Sequence, residues 1–289
     1  MELEGAVAVV TGAASGIGRS LARALAFDAG AVVVVADIDG AGADAVAGEI
    51  AAGADAAAGE IAAGADATAD EIAAGAAAGR LVGFGAEIDV TDETAVIALI
   101  EQVEESLGPI ELWCGNAGVS AMGGVERPNE EWNRVWDVNL MAHVIACRHL
   151  LPRWVERGSG HLLVTASAAG LLTGLGTASY AVTKHAAVAL AEWIAITHGD
   201  DGVRVSCLCP QGVRTPMTES EWMLGVAQVR ELGLMEPEEV AAVALEALRE
   251  DRFLILPHPE VATYEQRRAG DRQRWLAGMR RMQRGLLGP

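Results

Sequence analysis

Tyr180 and Lys184 are the two residues of this chain whose types and spacing best suit proton-transfer chemistry. They are four residues apart in an Ala-rich, apolar segment that continues to Ile196, so a helix there would present both side chains on one face. An ammonium beside a phenol favours the phenolate, and the tyrosine pKa of about 10 must fall before the side chain can act as a base near neutral pH. The plainer alternative is a helix whose Tyr and Lys face solvent.

The composition singles out the same pair. The chain has 21 Lys plus Arg residues, yet Lys184 is its sole lysine, and Tyr180 is one of two tyrosines. A compact ammonium can reach a phenol and a sugar hydroxyl together, which a planar guanidinium does less well. Ser167 follows an apolar run, His161 to Thr165, that is typical of a buried strand. A hydroxyl just past a strand end could hydrogen-bond a substrate oxygen.

A glycine-rich turn near the N-terminus predicts a dinucleotide site. An apolar strand from Ala6 to Val10 leads into this turn, and a helical pattern follows from Ile17 to Ala29. Glycines let the backbone approach a pyrophosphate closely, and a helix N-terminus supplies free N–H groups and the positive end of a dipole. The glycine spacing is Gly-x-x-x-Gly-x-Gly, and an ordinary tight turn is the alternative. The residues expected to contact a cofactor here are Gly12, Ser15, Gly16, Ile17 and Gly18.

Asp37 follows the second predicted strand, Ala31 to Ala36. A carboxylate at this place can accept hydrogen bonds from the adenosine ribose hydroxyls and would repel a 2′-phosphate. No Lys or Arg lies between Thr11 and Gly18 to offset that repulsion, so the sequence favours NAD over NADP. The alternative is an Asp that caps the following helix.

Two further strands end in residues that could contact the cofactor. The third, Leu81 to Ile88, is followed by Asp89, which could accept the adenine amino group, while Thr91 is expected to cap a helix from Asp92 to Leu107. The fourth strand, Ile110 to Cys114, is followed by small residues that allow the backbone to pass close to a cofactor. These candidate residues are Asp89, Val90, Asn116, Ala117 and Gly118.

Residues 41–73 are three copies of an eleven-residue unit, within an Ala/Gly/acid-rich insert at about 41–79. Eleven residues make almost three helical turns, so Ile50, Ile61 and Ile72 would drift only about 20° per copy. The glycines at positions 42, 48, 53, 59, 64 and 75 oppose a long helix. We expect one crossover helix plus extra residues that extend into solvent or form a poorly ordered excursion. A duplication of little functional consequence and a cover over the adenine end are both open.

The C-terminal half predicts more elements of the same kind. Asn139 is polar amid apolar neighbours in a mostly helical stretch, Glu131 to Val155, and a purely structural role for it is open. Met217 to Met235 has the apolar content of a short lid. The other predicted elements are a strand from Val203 to Cys209, a helix from Pro237 to Arg249 and a strand from Phe253 to Leu256.

Bulk properties exclude several classes of protein. A net charge of −19 and a pI near 4.6 argue against a nucleic-acid partner, which needs surplus Lys and Arg. No run of 18 apolar residues occurs and the N-terminus is acidic, so we expect no membrane partner and a cytoplasmic protein. The four cysteines lie in apolar runs, which indicates small buried side chains rather than a metal site or disulfide.

We expect a single catalytic domain over residues 1–262 and a basic tail over residues 263–289. Between Tyr264 and Arg284 the tail has seven Arg against two acids, a net charge of +5 in an otherwise acidic protein. The pattern predicts a helix that lies on the acidic body of this subunit or a neighbouring one.

Together these motifs resemble the short-chain dehydrogenase/reductase family. The resemblance covers nearly the whole chain apart from the insert and tail, and several independent motifs occur in the family's order. The family has Pro-Gly where this chain has Pro210-Gln211, and many relatives have Asn at the position of Gly115. The motifs are Thr11-Gly12-x-x-x-Gly16-x-Gly18, Asp37, Asp89-Val90, Asn116-Ala117-Gly118, Asn139, Ser167, Tyr180-x-x-x-Lys184 and Pro210 to Thr215.

The resemblance implies an α/β fold, a Rossmann-like doubly wound parallel sheet of about seven strands with helices on both faces. It implies that Tyr180 is the general acid/base, that Ser167 polarises the substrate oxygen, and that Lys184 holds the nicotinamide ribose and lowers the Tyr180 pKa. Asn139 would hold a water in a proton path. The implied nicotinamide-side contacts are Pro210, Val213 and Thr215. Family members commonly form tetramers, so a homo-oligomer, tetramer or dimer, is expected.

The leading hypothesis is an NAD-dependent oxidoreductase that interconverts a hydrophobic secondary alcohol and its ketone. The apolar lid and Leu171 and Leu172 near Ser167 motivate this substrate class. The alternative is a non-catalytic NAD-binding regulatory or scaffold protein, with the acidic repeat or the basic tail as its interaction surface.

Overall fold

The computed structural model describes residues 1–58, 83–219 and 233–287. The third copy of the eleven-residue repeat, the last four residues of the second copy and residues 220–232 of the predicted lid lie outside the described residues. The first copy lies in the helix Gly40–Ala58.

Seven parallel strands form one sheet in the order β3-β2-β1-β4-β5-β6-β7. Helices connect the strands, so the predicted Rossmann-like fold is confirmed. Each strand lies within two residues of its predicted bounds. The strands are β1 Val7–Thr11, β2 Val32–Asp37, β3 Gly83–Glu87, β4 Ile110–Gly115, β5 Gly160–Thr165, β6 Val203–Leu208 and β7 Leu254–Ile255.

Apolar side chains cover both faces of the sheet. Along β1, Val7 and Val9 pack into one buried cluster while Ala8 and Val10 pack into the other, because successive side chains of a strand point to opposite faces. A strand buried on both faces must be apolar at nearly every position, which accounts for the Val-rich runs in the sequence.

The helices flank this sheet and connect its strands. In chain order they are α1 Gly16–Phe27, α2 Gly40–Ala58, α3 Glu93–Leu107, α4 Asn129–Trp136, α5 Ala142–Arg157, α6 Ala178–His198, α7 Pro216–Glu219, α8 Pro237–Arg249, α9 Glu260–Gly270 and α10 Arg272–Leu287. A π-helical turn, Asp137–Met141, separates α4 from α5, and a 3-10 turn, Ala168–Gly170, precedes α6.

One local prediction was wrong. The cap of α3 is Asp92 rather than Thr91, since the Asp92 carboxylate accepts hydrogen bonds from the N–H groups of Thr94 and Ala95. The Thr91 hydroxyl instead donates to Asp89 Oδ1 at 2.7 Å. The mostly helical stretch predicted from Glu131 to Val155 is confirmed, with α4 and α5 joined by the π-helical turn that contains Asn139.

The basic tail folds as α9 and α10, and α9 begins at Glu260, inside the segment assigned to the catalytic domain. Val261 of α9 is fully buried, and Tyr264 and Trp275 pack against the same apolar cluster. The tail is therefore continuous with the core at its start and exposed toward its end.

Residues 1–58, 83–219 and 233–287 lack features of two kinds. In that part of the chain no helix is long and apolar enough to cross a membrane, and no group of His, Cys, Asp and Glu could hold a metal ion. All four cysteines are buried and free, with Cys207 Sγ 3.8 Å from Cys209 Sγ.

Gly160 provides a test of how tightly β5 packs against α5. A Cβ at Gly160 would lie 2.1 Å from Cγ of the fully buried Trp154 ring, so the helix must shift to accept it. We expect Gly160→Ala to lower the free energy of unfolding by roughly 1–3 kcal/mol. Gly48→Ala is the matched control, since its Cβ would enter open space in α2 and should stabilise the protein by about 0.5–1 kcal/mol. Urea unfolding measures both; equal stabilities of the two variants would contradict the packing described.

Candidate active site

A cavity of about 1820 Å³ opens at the carboxyl ends of the strands. It lies where β1 pairs with β2 on one side and β4 on the other, the point at which the strand order reverses. Most of the predicted site residues line this one cavity: Gly12, Ser15, Gly16, Ile17, Asp37, Asp89, Val90, Asn116, Ala117, Gly118, Ser167, Tyr180, Lys184, Pro210, Val213 and Thr215. Gly18 and Asn139 lie behind the wall.

Ser167, Tyr180 and Lys184 lie together on one wall. The Lys184 ammonium is 5.6 Å from the centre of the Tyr180 ring, so α6 presents both residues on one face, as their spacing predicts. Lys184 is 3% exposed and donates to the Thr165 carbonyl at 2.8 Å. The Ser167 hydroxyl accepts from Ala169 N at 3.1 Å and hydrogen-bonds Tyr180. A substrate oxygen between the serine and tyrosine hydroxyls would contact both.

The predicted lowering of the Tyr180 pKa is wrong for the protein by itself. Burial raises the pKa of Tyr180, and the hydrogen bond with Ser167 opposes this only in part. Burial also lowers the pKa of Lys184 to about 8, so the ammonium is charged at neutral pH without being stabilised by a nearby carboxylate. Desolvation therefore dominates both groups, and the phenol is protonated when the cavity holds nothing else.

Asn139 positions a loop. Its Oδ1 accepts from Val119 N at 2.8 Å, and its Nδ2 donates to Val119 O at 2.9 Å and to Thr183 Oγ1 at 3.1 Å. Both amide hydrogens are used, so a water bound at this residue would have to donate to one of its oxygens. The π-helical turn brings the side chain to this position, as such turns often do near functional sites.

The glycine turn fits a pyrophosphate. Ser15 precedes α1 without a side-chain cap, and no acid lies in the first turn of the helix, so the helix N-terminus keeps its positive character toward the cavity. The turn itself is held against β4, since Asn116 Nδ2 donates to the carbonyls of Thr11 and Gly12 at 3.1 Å each. A Cβ at Gly18 would lie 2.1 Å from Gly12 O, so only glycine allows this close packing.

Asp37 fits an adenosine ribose. One carboxylate oxygen accepts from Ala14 N at 2.9 Å and the other from Asp39 N at 3.0 Å, so the side chain is fixed at the edge of the cavity. The helix-capping alternative belongs to a different residue, because Asp39 Oδ1 accepts from Gly42 N at the start of α2. Asp89 is partly engaged, since its Oδ1 accepts from both the N–H and the hydroxyl of Thr91.

The loop after β6 departs from the family pattern at Gln211. Pro210 O accepts from Ala168 N at 2.8 Å, and Gln211 N donates to His258 Nδ1 at 3.1 Å. Within the described residues, the buried Gln211 Oε1 has no hydrogen-bond partner, and Gln211 lines the cavity. The departure from Pro-Gly was the available signal for this additional candidate contact.

Gly115 is the second position at which the chain differs from the family pattern, and the packing around it explains the difference. A Cβ there would lie 2.5 Å from Nδ1 of His143, which is buried on α5. Burial lowers the pKa of His143 to about 3, so the imidazole is neutral beside the Lys184 ammonium.

The tail also lines the cavity, although its net charge predicted a position on the acidic body of the protein. Its lining side chains lie at the mouth and include an apolar set at helical spacing on α10, a periodicity that could have been read in the sequence. They are Tyr264, Arg267, Asp271, Arg274, Trp275, Met279, Arg281 and Met282.

Comparisons with known proteins agree with this geometry. The family model described as short chain dehydrogenase matches residues 31–223. A 1-deoxy-11-beta-hydroxypentalenate dehydrogenase from Streptomyces exfoliatus is 37% identical over 272 residues, which cover 90% of this chain and 86% of the relative. A meso-2,3-butanediol dehydrogenase from Serratia marcescens is 33% identical over 252 residues, 84% of this chain and 87% of the relative.

A solved structure is also similar. It is a short chain dehydrogenase/reductase from Burkholderia phymatum in complex with NAD, at 28% identity and a TM-score of 0.76, covering 94% of this chain and 96% of that one. The matches span most of each chain, which confirms the predicted family and enzyme class. The chain belongs to the short-chain dehydrogenase family.

Proposed function

We propose that the protein is an NAD-dependent oxidoreductase that interconverts a hydrophobic secondary alcohol and its ketone, with Tyr180 as the general acid/base. The observation that supports this most strongly is the single cavity in which Ser167, Tyr180 and Lys184 share a wall with the glycine turn and Asp37. A proton-transfer group and a dinucleotide cradle in one crevice are what hydride transfer requires.

During alcohol oxidation, Tyr180 removes the hydroxyl proton while the carbon gives up its hydride; during ketone reduction, Tyr180 returns the proton to the oxygen. The bound nicotinamide supplies hydride chemistry. Ser167 holds the substrate oxygen and favours the developing charge on it. Lys184, buried and charged below a pKa of about 8, has hydrogens left after its bond to Thr165 O, and these are placed to hold a ribose hydroxyl.

The raised pKa of Tyr180 sets different requirements for ketone reduction and for alcohol oxidation. A phenol that stays protonated by itself can act as an acid for reduction, but it needs added positive charge nearby to act as a base. The Lys184 ammonium is the charge that this chain provides. Bound NAD would supply a second positive charge, on its oxidised nicotinamide ring, which would favour the base role of Tyr180 and so alcohol oxidation.

NAD is the proposed cofactor. Asp37 is fixed at the cavity edge where a ribose 2′-substituent would lie, and its charge disfavours a phosphate there. The similar structure from Burkholderia phymatum contains NAD.

The substrate class is a hydrophobic alcohol. Apolar side chains line the cavity both near Ser167 and at its mouth, namely Leu172, Leu175, Trp275 and Met279. The relatives named for hydroxypentalenate and butanediol also act on hydroxylated small molecules. We further propose a cytoplasmic homo-oligomer, tetramer or dimer, with exposed apolar residues such as Trp193 and Ile196 of α6 at the subunit contact.

Replacing the phenol tests the proton-transfer role. Tyr180→Phe should lower kcat by roughly 10²-fold or more while the NADH dissociation constant stays nearly unchanged, because only the proton-transfer group is removed. Tyr264→Phe, the same change at the other tyrosine of the cavity, is the control and should retain most activity. NADH absorbance with a panel of secondary alcohols and ketones measures both; wild-type turnover that survives in Tyr180→Phe would overturn the assignment.

Neutralising Asp37 tests cofactor choice. Asp37→Asn keeps an acceptor oxygen but removes the charge, so the preference for NAD over NADP should fall by about tenfold or more. Asp39→Ser removes a charge two residues away, outside the cavity lining, and keeps a helix-capping hydroxyl. It should leave the preference unchanged. If titration shows that the wild-type protein binds NADP more tightly than NAD, the cofactor preference inferred from Asp37 at the end of β2 is wrong.

A further inference from the structure

Three arginines of the tail lie at the mouth of the cavity. Arg267 belongs to α9, and Arg274 and Arg281 belong to α10, where a spacing of seven residues places them on the same helix face. All three are exposed at the mouth while also lining it.

In the described part of the chain, these arginines lack the carboxylate partner that nine other arginines have, as do Arg134, Arg249 and the other four arginines of the tail. In the ranges that the structure describes, none of the three guanidinium groups has an ion pair or a hydrogen bond with a carboxylate. The neighbouring acid, Asp271, uses its Oδ1 to accept from the backbone N–H of Arg274 at 2.9 Å. By contrast, carboxylates lie within 4 Å of Arg19, Arg23, Arg127, Arg148, Arg153, Arg157, Arg204, Arg214 and Arg252.

The tail lies at the substrate end of the cavity. Arg268, next to Arg267, has its guanidinium 3.3 Å from His185 Nε2, on the helix that carries Tyr180. The helix α9 follows β7, which is the edge strand opposite β3 in the sheet. The adenosine end is marked instead by Asp37, the last residue of β2, and by Asp89, which follows β3. The three arginines therefore lie away from the part of the cavity where a cofactor phosphate would bind.

The surroundings restrict where an anion could bind. On α10, Trp275, Met279 and Met282 line the cavity on the same face as Arg274 and Arg281. The lining contributed by residues 130–137 carries Glu130 and Asp137 with Arg134, a net charge of −1, whereas the lining from the tail carries three arginines and Asp271, a net charge of +2. An anion is therefore favoured on the tail side. The mouth thus combines an apolar surface with guanidinium groups beside it.

We infer that the substrate is a hydrophobic alcohol that carries a carboxylate, and that Arg267, Arg274 and Arg281 bind this carboxylate while the hydroxyl lies at Ser167 and Tyr180. Guanidinium groups bind carboxylates through paired, charge-assisted hydrogen bonds, which neutral alcohols cannot form. The inference rests on the proposed function and adds a specificity determinant to it.

Matched acid and ester probes test the inference. We would titrate the full-length protein, saturated with NADH, with lithocholate and 4-hydroxycyclohexanecarboxylate and with the methyl ester of each, using calorimetry. At least one acid should bind about tenfold more tightly than its ester, since the ester keeps the skeleton and hydroxyl but loses the charge. If no acid binds more tightly than its ester, the inference is overturned.

Two triple variants assign the effect to the cavity arginines. Arg267→Gln/Arg274→Gln/Arg281→Gln should abolish the acid preference. Arg272→Gln/Arg280→Gln/Arg284→Gln removes three charges from the same tail but outside the cavity lining, and should retain it. Equal preferences in the two variants would contradict the inference, and unchanged NADH binding in both shows that each is folded.

NADH oxidation and formation, followed with the same probes and their ketones, separate this inference from the proposed function. If an acid binds more tightly than its ester but no probe is turned over, the result supports carboxylate binding by the three arginines. It then counts against the proposed oxidoreductase activity. If esters and acids are turned over with equal KM, the result supports the proposed oxidoreductase activity. It overturns the inference that the three arginines bind a substrate carboxylate.

Discussion

Lys184 brings a positive charge into a wall where only 3% of its surface remains exposed, and the surrounding structure is arranged to tolerate it. The Thr165 carbonyl at the end of β5 accepts one of its hydrogens, and His143, whose pKa the Lys184 charge also lowers, is held neutral by its own burial. Within the described residues, burial lowers the pKa of Lys184 and no carboxylate offsets this. A buried ammonium without a counterion is costly, so the site is suited to take up partners that carry hydroxyl or phenolate oxygens.

The sheet places that charge beside the dinucleotide cradle. Because all seven strands are parallel, their carboxyl ends lie at one edge, and the reversal of strand order beside β1 opens a crevice there. The glycine turn closes one side of the crevice and α6 closes the other. The tail helices add a third side, with arginines and apolar residues that the rest of the family motif does not determine.

Much of this arrangement could be predicted from local pattern. The helical period alone places Tyr180 and Lys184 on one face, and the strand–turn–helix order alone places Gly16 at a helix N-terminus that lines the cavity. Choices between neighbouring residues of similar chemistry could not be made: Asp92 caps α3 rather than Thr91, and Asp39 rather than Asp37 caps α2. Both members of each pair suit a cap, and the tertiary hydrogen bonds of Thr91 and Asp37 decide between them.

Other features depend on burial, which a sequence does not specify. The direction of the Tyr180 pKa shift reverses because desolvation exceeds the effect of its neighbours. The tail contacts the cavity because Val261 anchors α9 in the core, whereas net charge alone directed the prediction toward the acidic surface.

We propose that the Lys184 ammonium makes the Tyr180 phenol easier to ionise once NAD is bound. Tyr264→Phe leaves Tyr180 as the only tyrosine, so the phenolate absorbance of that variant, saturated with NAD, reports the Tyr180 pKa directly. Adding Lys184→Met should raise this pKa by roughly 1 unit or more, because the nearby positive charge is lost. An unchanged or lower Tyr180 pKa in the double variant would contradict the account.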